Sequence, residues 1–222
     1  MRALLSGVLV ALLLAGCAAS PPLSEDAYTV REHDTLYSIA WRHGLDYRDL
    51  ARWNGLGTDY RIVVGQRLSL HPVDGAPARL APAPAAPPPP LPPVAPSLPP
   101  GERVTWVWPT AQSASPKPAR SGGLLFPGQP GQPVRAAARG RVVYTGSGIR
   151  GYGQLIILKH SATLLSAYAY NDQVMVHEGD EVSAGQQIAT MGQGPHQVAA
   201  LYFEIRVNGR PSDARKLLHD IK

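Results

Sequence analysis

The chain of 222 residues contains one cysteine, Cys17, so no disulfide can form within it. Acidic residues are scarce: 16 stand against 21 lysines and arginines, giving a net charge of +5 and a pI of about 9.5. That balance points to an anionic partner: nucleic acid, membrane or wall polymer. The sequence lacks an apolar run of the roughly 20 residues that a spanning helix needs. Its longest such run, Ala3 to Leu13, is too short to hold a bilayer but fits the apolar centre of a signal peptide, with Met1-Arg2 as the positive start.

The apolar run ends in Leu14-Ala15-Gly16-Cys17, which resembles the lipobox of bacterial lipoproteins. The resemblance implies removal of residues 1–16 and lipidation of Cys17, which also accounts for the lone thiol. Several acyl chains on one residue give a durable membrane anchor. Export removes nucleic acid as a partner. Residue 18 is alanine, and the absence of aspartate there implies the outer membrane, with the protein facing the periplasm.

Residues 17–26 then read as a lipidated tether, 27–71 as a small domain, 72–100 as a linker and 101–222 as a second domain. The linker holds 13 prolines with alanine in most other places. It has no periodic apolar face and few backbone donors, so it cannot build a core. An extended polyproline chain of this length reaches on the order of 90 Å, which makes it a semi-rigid spacer.

In the first domain, Tyr28-Thr29-Val30 alternates like a strand. Asp34 is the expected cap of a helix through His43, with Leu36, Ile39 and Ala40 on one face and Gly44 as its stop. Asp46 starts a second helix, Tyr47 to Trp53, with Asp49 as a box-like partner. Asn54-Gly55 turns the chain, and Gly65 to Leu70 closes as a strand. This βααβ pattern, with Asp34-Thr35-Leu36, Ile39-Ala40, Leu50, Asn54-Gly55-Leu56 and Gly65-Gln66-Arg67-Leu68, closely resembles the LysM family. The resemblance implies binding of N-acetylglucosamine-containing glycan, here peptidoglycan. It places the sugar between Asp34, Thr35 and Leu36 on one side and Tyr60, Arg61 and Ile62 on the other.

The second domain reads as short strands separated by glycine: Arg141 to Tyr144, Gln154 to Lys159, Leu164 to Tyr170, Gln187 to Met191 and Leu201 to Val207. The last alternates strictly, with Leu201, Phe203, Ile205 and Val207 opposed to Tyr202, Glu204 and Arg206. Gly148 to Gly153 joins two strands without a helix N-terminus, so it is a hairpin and not a phosphate loop. Asn208-Gly209 is a tight turn, and a short helix ends the chain. The expected class is two domains: a small α+β unit and a mostly antiparallel β unit.

Trp106-Val107-Trp108-Pro109, Gly131-Gln132-Pro133-Val134, Gly140-Arg141-Val142-Val143, Gly151-Tyr152-Gly153 and Phe203-Glu204-Ile205-Arg206 resemble the LytM, or M23, peptidase family. Active members hold zinc with two early ligands and a late histidine, assisted by two more histidines. Here the resemblance puts Ser121 and Leu125 at the early ligands, Tyr170 and Ala200 at the assisting histidines, and Tyr202 at the late ligand. Residues Arg120 to Pro130 contain no histidine, aspartate or glutamate at all. The family chemistry therefore has no donor set, and no metal or other cofactor is expected. His160, His177, His196 and His219 are scattered and read as structural or surface residues.

Lipobox, LysM pattern and degenerate peptidase pattern together resemble the NlpD-like lipoproteins. That resemblance implies a non-catalytic activator of an N-acetylmuramoyl-L-alanine amidase in septal wall splitting, with Tyr168, Tyr170 and Tyr202 expected to line the amidase-docking cleft. The rival readings are an active zinc endopeptidase and a passive tether between outer membrane and wall.

Overall fold

The computed structural model of the chain describes residues 27–72, 104–111 and 115–219. The signal segment, Cys17, the tether and most of the proline linker lie outside the described residues, as does the side chain of His219.

In the first domain, β1 (Ala27–Thr29), α1 (Leu36–His43), α2 (Tyr47–Trp53) and β2 (Arg67–Ser69) follow the expected order. The strands pair antiparallel with Tyr28 opposite Leu68. Leu36, Ile39, Ala40, Leu50 and Leu68 form the core. The helix cap differs from expectation. Thr35 caps α1: its Oγ1 accepts from the Ser38 amide, and Ser38 Oγ accepts from the Thr35 amide. Asp34 is committed elsewhere, accepting from the Arg31 amide, the Tyr28 hydroxyl and Arg42 Nη2 at 2.9, 2.7 and 3.1 Å. Gly44 ends α1 in the left-handed conformation, and Asp46 caps α2 through the Arg48 amide. Asp49 pairs with Arg52 instead of completing a box.

The second domain contains β3 (Lys117–Pro118), β4 (Leu124–Pro127), β5 (Pro133–Arg135), β6 (Gly140–Gly146), β7 (Gln154–Lys159), β8 (Leu164–Val174), β9 (Glu181–Val182), β10 (Gln187–Met191), β11 (Ala200–Val207), β12 (Arg210–Ser212) and α3 (Ala214–His219). The main sheet runs β3-β4-β11-β8-β7-β6-β9, β12 flanks β11, and β10 joins β5 to β8; every pairing is antiparallel. Leu201, Phe203 and Ile205 face one core with Phe126, Tyr168, Ile156, Leu158 and Leu218 of α3.

The other face carries three cross-strand rows, set by register. Arg206, Leu165 and Lys159 are direct neighbours across β11, β8 and β7; Glu204, Ala167 and Ile157 form the next row; Tyr202 and Ala169 begin the third. The first domain packs on this face, and its core is continuous with Tyr144, Leu155, Ile157, Leu165 and Ala167. Arg206 lies under Trp41, and Lys159 lies among Tyr37, Tyr47 and Tyr60 at 5.4–5.8 Å from each ring. Tyr47 Oη donates to the Ala162 carbonyl at 2.8 Å, and Arg48 Nη2 to Asn208 Oδ1 at 2.7 Å. The Asn208-Gly209 turn has both residues in the left-handed region, and a Cβ on Gly209 would meet the Asp46 amide nitrogen at 2.5 Å. The two domains are thus in intimate contact, although the sequence between them could hold them far apart.

Candidate functional site

The five positions matched to the peptidase centre come together around Tyr202. Leu125 is its direct partner on β4, the Tyr170 ring is 6.2 Å from its ring, and Ala200 lies two residues before it. Ala200 and Tyr170 both border Gly194. The Tyr202 hydroxyl donates to Glu204 Oε2 at 2.5 Å, with the carbonyl of Arg120, next to Ser121, at 3.0 Å. Burial, and then the Glu204 charge, raise the Tyr202 phenol above its ordinary range, so it keeps its proton. Glu204 is fully buried and held by Arg206 Nε at 2.6 Å.

Arg120, exposed at the edge of this group, lies against two of its rings. Its guanidinium lies 4.7 Å from the Tyr152 ring and 5.7 Å from the Tyr202 ring, and its Nη2 donates to the Gly151 carbonyl at 2.5 Å. These residues do not fit a zinc ion. Leucine and alanine offer no donor, the phenol is protonated and engaged, and the one carboxylate is neutralised by arginine. Among the described residues no group of three His, Cys, Asp or Glu side chains is placed to hold a metal.

The structure corrects the expected docking set. Tyr168 is fully buried on the opposite side of the sheet, packed on Phe203 with its hydroxyl accepting from the Ala137 amide at 2.8 Å. Strand alternation alone would put Tyr168 and Tyr170 on one face. Tyr170 adopts φ 66°, which breaks the alternation and carries its ring to the Tyr202 side. Tyr202 is also buried, so Tyr170, half-exposed, is the one member of the trio open to a partner.

The glycan candidates divide in a similar way. Leu36 is 1 % exposed and belongs to the core, so its side chain cannot reach a sugar. Thr35 is the helix cap and Asp34 the centre of an ion-paired network. Tyr60, with φ 54°, stacks edge-on against Tyr37 and Tyr47; Ile62 packs beside this cluster and Arg61 is exposed. Val63 and Val64, which follow directly, are 60 and 64 % exposed. Sequence reading passed over them, and two adjacent valines in a polar loop were the available signal.

The histidines lie apart. His160 is buried, with Nδ1 2.6 Å from the Arg139 carbonyl and Nε2 2.7 Å from Ser166 Oγ. A carbonyl only accepts, so Nδ1 carries the proton and Nε2 accepts from serine. Burial pushes its pKa down to about 4. His177 is exposed beside Asp180, and His196 occupies a loop at φ 60°.

A second feature borders this centre. A cleft of about 730 Å3 opens at the domain junction, lined by Arg31, Arg42, Trp41, Ser121, Arg150 and Arg206 among others. It adjoins the residues around Tyr202 through Ser121 and the LysM domain through Trp41.

Known proteins place both domains. The LysM domain description matches residues 28–70, and Peptidase family M23 matches residues 119–214. The chain is 37 % identical to the Lipoprotein NlpD/LppB homolog of Pseudomonas aeruginosa, covering 97 % of this chain and 91 % of that one. It is 37 % identical to the lipoprotein YgeR of Escherichia coli, over 94 and 89 %. It is 33 % identical to the Murein hydrolase activator NlpD of the same organism, over 84 and 66 %. Among solved structures it is similar to a zinc containing peptidase from Vibrio cholerae, with a TM-score of 0.45 and 26 % identity over 51 % of this chain and 40 % of that one. Two matched domains, and relatives aligned along almost the full chain, make this a member of the NlpD/LppB lipoprotein family, built from a LysM domain followed by a peptidase family M23 domain.

Proposed function

We propose that the protein is a non-catalytic lipoprotein that binds peptidoglycan and activates an N-acetylmuramoyl-L-alanine amidase, anchored in the outer membrane through Cys17 and acting in septal wall splitting. The observation that carries the reading is the former metal centre. All five positions converge in space, yet they hold Ser121, Leu125, Tyr170, Ala200 and Tyr202, with the Arg120 guanidinium beside the Tyr202 ring. A fold kept intact around a centre without donors is suited to binding and not to hydrolysis. The naming of relatives as murein hydrolase activators supports the same direction.

In this reading the LysM domain holds the wall through the loop from Tyr60 to Val64, and the Tyr170 edge of the second domain meets the amidase. The purified full-length chain with Cys17→Ser should sediment with sacculi, release nothing from them alone, and accelerate release when an amidase from the same organism is added. Release of muropeptides by the chain alone would overturn the non-catalytic assignment. Unchanged amidase turnover would overturn the activator assignment. Membrane fractions should retain the parent chain and lose the Cys17→Ser variant.

A further inference from the structure

The sheet face next to the former metal centre is apolar. Leu155, Ile157, Leu165, Ala167 and Ala169 are each at most 5 % exposed, and Tyr144 is 1 % exposed. The terminal helix α3 covers the opposite face, where Ala214 and Leu218 join the other core. What covers this one is the LysM domain, aided by the β6–β7 hairpin with Ile149 and Tyr152. An apolar sheet face of this kind needs a cover, and a face laid bare would be a protein-binding surface.

The cover is specific but carries two built-in costs. Arg206, 5 % exposed, is shared between Glu204 and the Trp41 carbonyl, and the hairpin tip at Asn208-Gly209 abuts the Asp46 backbone. Against this, the Trp41 indole nitrogen is buried with no hydrogen-bond partner among the described residues. A buried donor left unpaired opposes burial. Lys159, too, is placed among three tyrosine rings with one long bond, 3.4 Å, to Tyr37 Oη. Burial lowers its affinity for a proton, with the Arg141 and Arg48 charges adding to the effect. The three ring faces offset part of the Lys159 desolvation, but the unpaired Trp41 donor has no such offset, and this cost makes the LysM domain a cover that can leave.

We propose that the LysM domain is the resident occupant of the apolar face beside the degenerate centre, and that it competes there with the partner hydrolase. The inference rests on the activator reading. The partner surface that fits is apolar at its middle, replacing the LysM helices over Leu155, Ile157 and Leu165, with an acidic rim to meet Arg206 and Lys159 once Trp41 and Tyr37 have left them. Tyr60 faces Lys159 of the second domain, whose ammonium is 5.6 Å from its ring, and lies in the candidate glycan loop. A glycan seated on Tyr60 and the docked second domain therefore share a group, and each weakens the other by the same factor. Wall engagement would then expose the hydrolase-binding face.

The test uses the full chain carrying Cys17→Ser and two opening variants built on it. Lys159→Glu puts a carboxylate among the tyrosines. Arg48→Glu with Asn208→Asp sets two acids where a 2.7 Å hydrogen bond now stands. Circular dichroism checks that each variant keeps its fold, and small-angle X-ray scattering reads whether the domains separate. A chain whose competent state is a minor fraction gains apparent affinity when that state is freed, here on the order of tenfold. Variants that separate and bind or activate the amidase about ten times better than the parent support the proposal. Variants that separate and act no better overturn it, as does a parent chain already separated in solution. If parent and opened variants alike leave the amidase untouched, the activator reading falls and takes this inference with it.

Discussion

The guanidinium carbon of Arg206 lies 3.6 Å from the centre of the Trp41 ring, and Nη1 of the same residue donates to the Trp41 carbonyl oxygen at 2.8 Å. One residue of the last long strand thereby grips one helix of the LysM domain by its side chain and its backbone together. The same arginine balances the fully buried Glu204. Removing it strands a carboxylate in the core as well as breaking the interface. Arg206→Met should destabilise the chain by about 3–5 kcal/mol. The double variant Glu204→Gln with Arg206→Met, which removes both charges, should recover most of that loss. Urea denaturation of the two proteins measures the difference, and equal losses would show that the buried charge is not the cause.

Tyr168 and Tyr170 should respond in opposite ways. Tyr168→Ala opens a cavity in the closed core and should cost about 3–5 kcal/mol of stability. Tyr170→Ala touches a half-exposed ring and should change stability far less, while reducing amidase stimulation about tenfold, the 1.4 kcal/mol of a contact at a binding hot spot. Thermal melts with stimulation assays on the same preparations separate the two effects. A Tyr170 variant that activates as well as the parent would remove this edge from the docking surface.

His160 gives the fold an acid-sensitive point. The folded chain holds it neutral, with a pKa near 4, whereas the unfolded chain takes a proton near pH 6.5. Its contribution is therefore complete above pH 6.5 and is lost progressively as the pH falls toward 4. At 1.36 kcal/mol per pH unit the loss amounts to roughly 3 kcal/mol. The unfolding free energy of the parent should fall across that window more steeply than that of His160→Gln, which cannot titrate. Parallel curves would assign the acid sensitivity to other groups.

Val63 and Val64 should matter for wall binding and not for stability. Val63→Asp with Val64→Asp changes exposed side chains, so its melting temperature should stay within about 1–2 °C of the parent. Sedimentation with sacculi should drop severalfold. Undiminished sedimentation would move the glycan site away from this loop.

Much of this architecture was legible because local chemistry dictated it. Ile39, Leu50 and Gly44 mark the LysM helices, β7 runs over the apolar stretch Gln154–Lys159 that the sequence displays, and Asn208-Gly209 makes the tight turn it is built for. The alternation along β11 sorted Leu201, Phe203 and Ile205 from Tyr202, Glu204 and Arg206 correctly. Other features depend on information that no local pattern holds. The short strands β4 and β5 exist because neighbours pair with them; each contains proline and neither alternates far enough to register. The left-handed turn of Tyr170 reverses a face that period two would have fixed, so Tyr168 and Tyr170 end on opposite sides of the sheet. Asp34 looked like a cap because its partners, Tyr28 and Arg42, stand six residues before it and eight after it. The contact between domains was hidden most completely. Tyr37, Trp41 and Tyr47 stand on the two LysM helices like ordinary helix aromatics, and nothing in their spacing announces a second neighbour.

Gly209 has a mechanical meaning beyond its turn. Its missing side chain lets the β11–β12 hairpin tip enter a notch at the corner between the LysM helices, backbone against backbone at Asp46. The joint behaves as a latch whose tolerance is less than a single methyl group. Any side chain at this position acts as a shim, prising the hairpin from the notch without altering a residue of the former metal centre or of the glycan loop. The freedom of the two domains to part is thus governed from a point that touches neither ligand, and it can be adjusted there without redesigning what either domain binds.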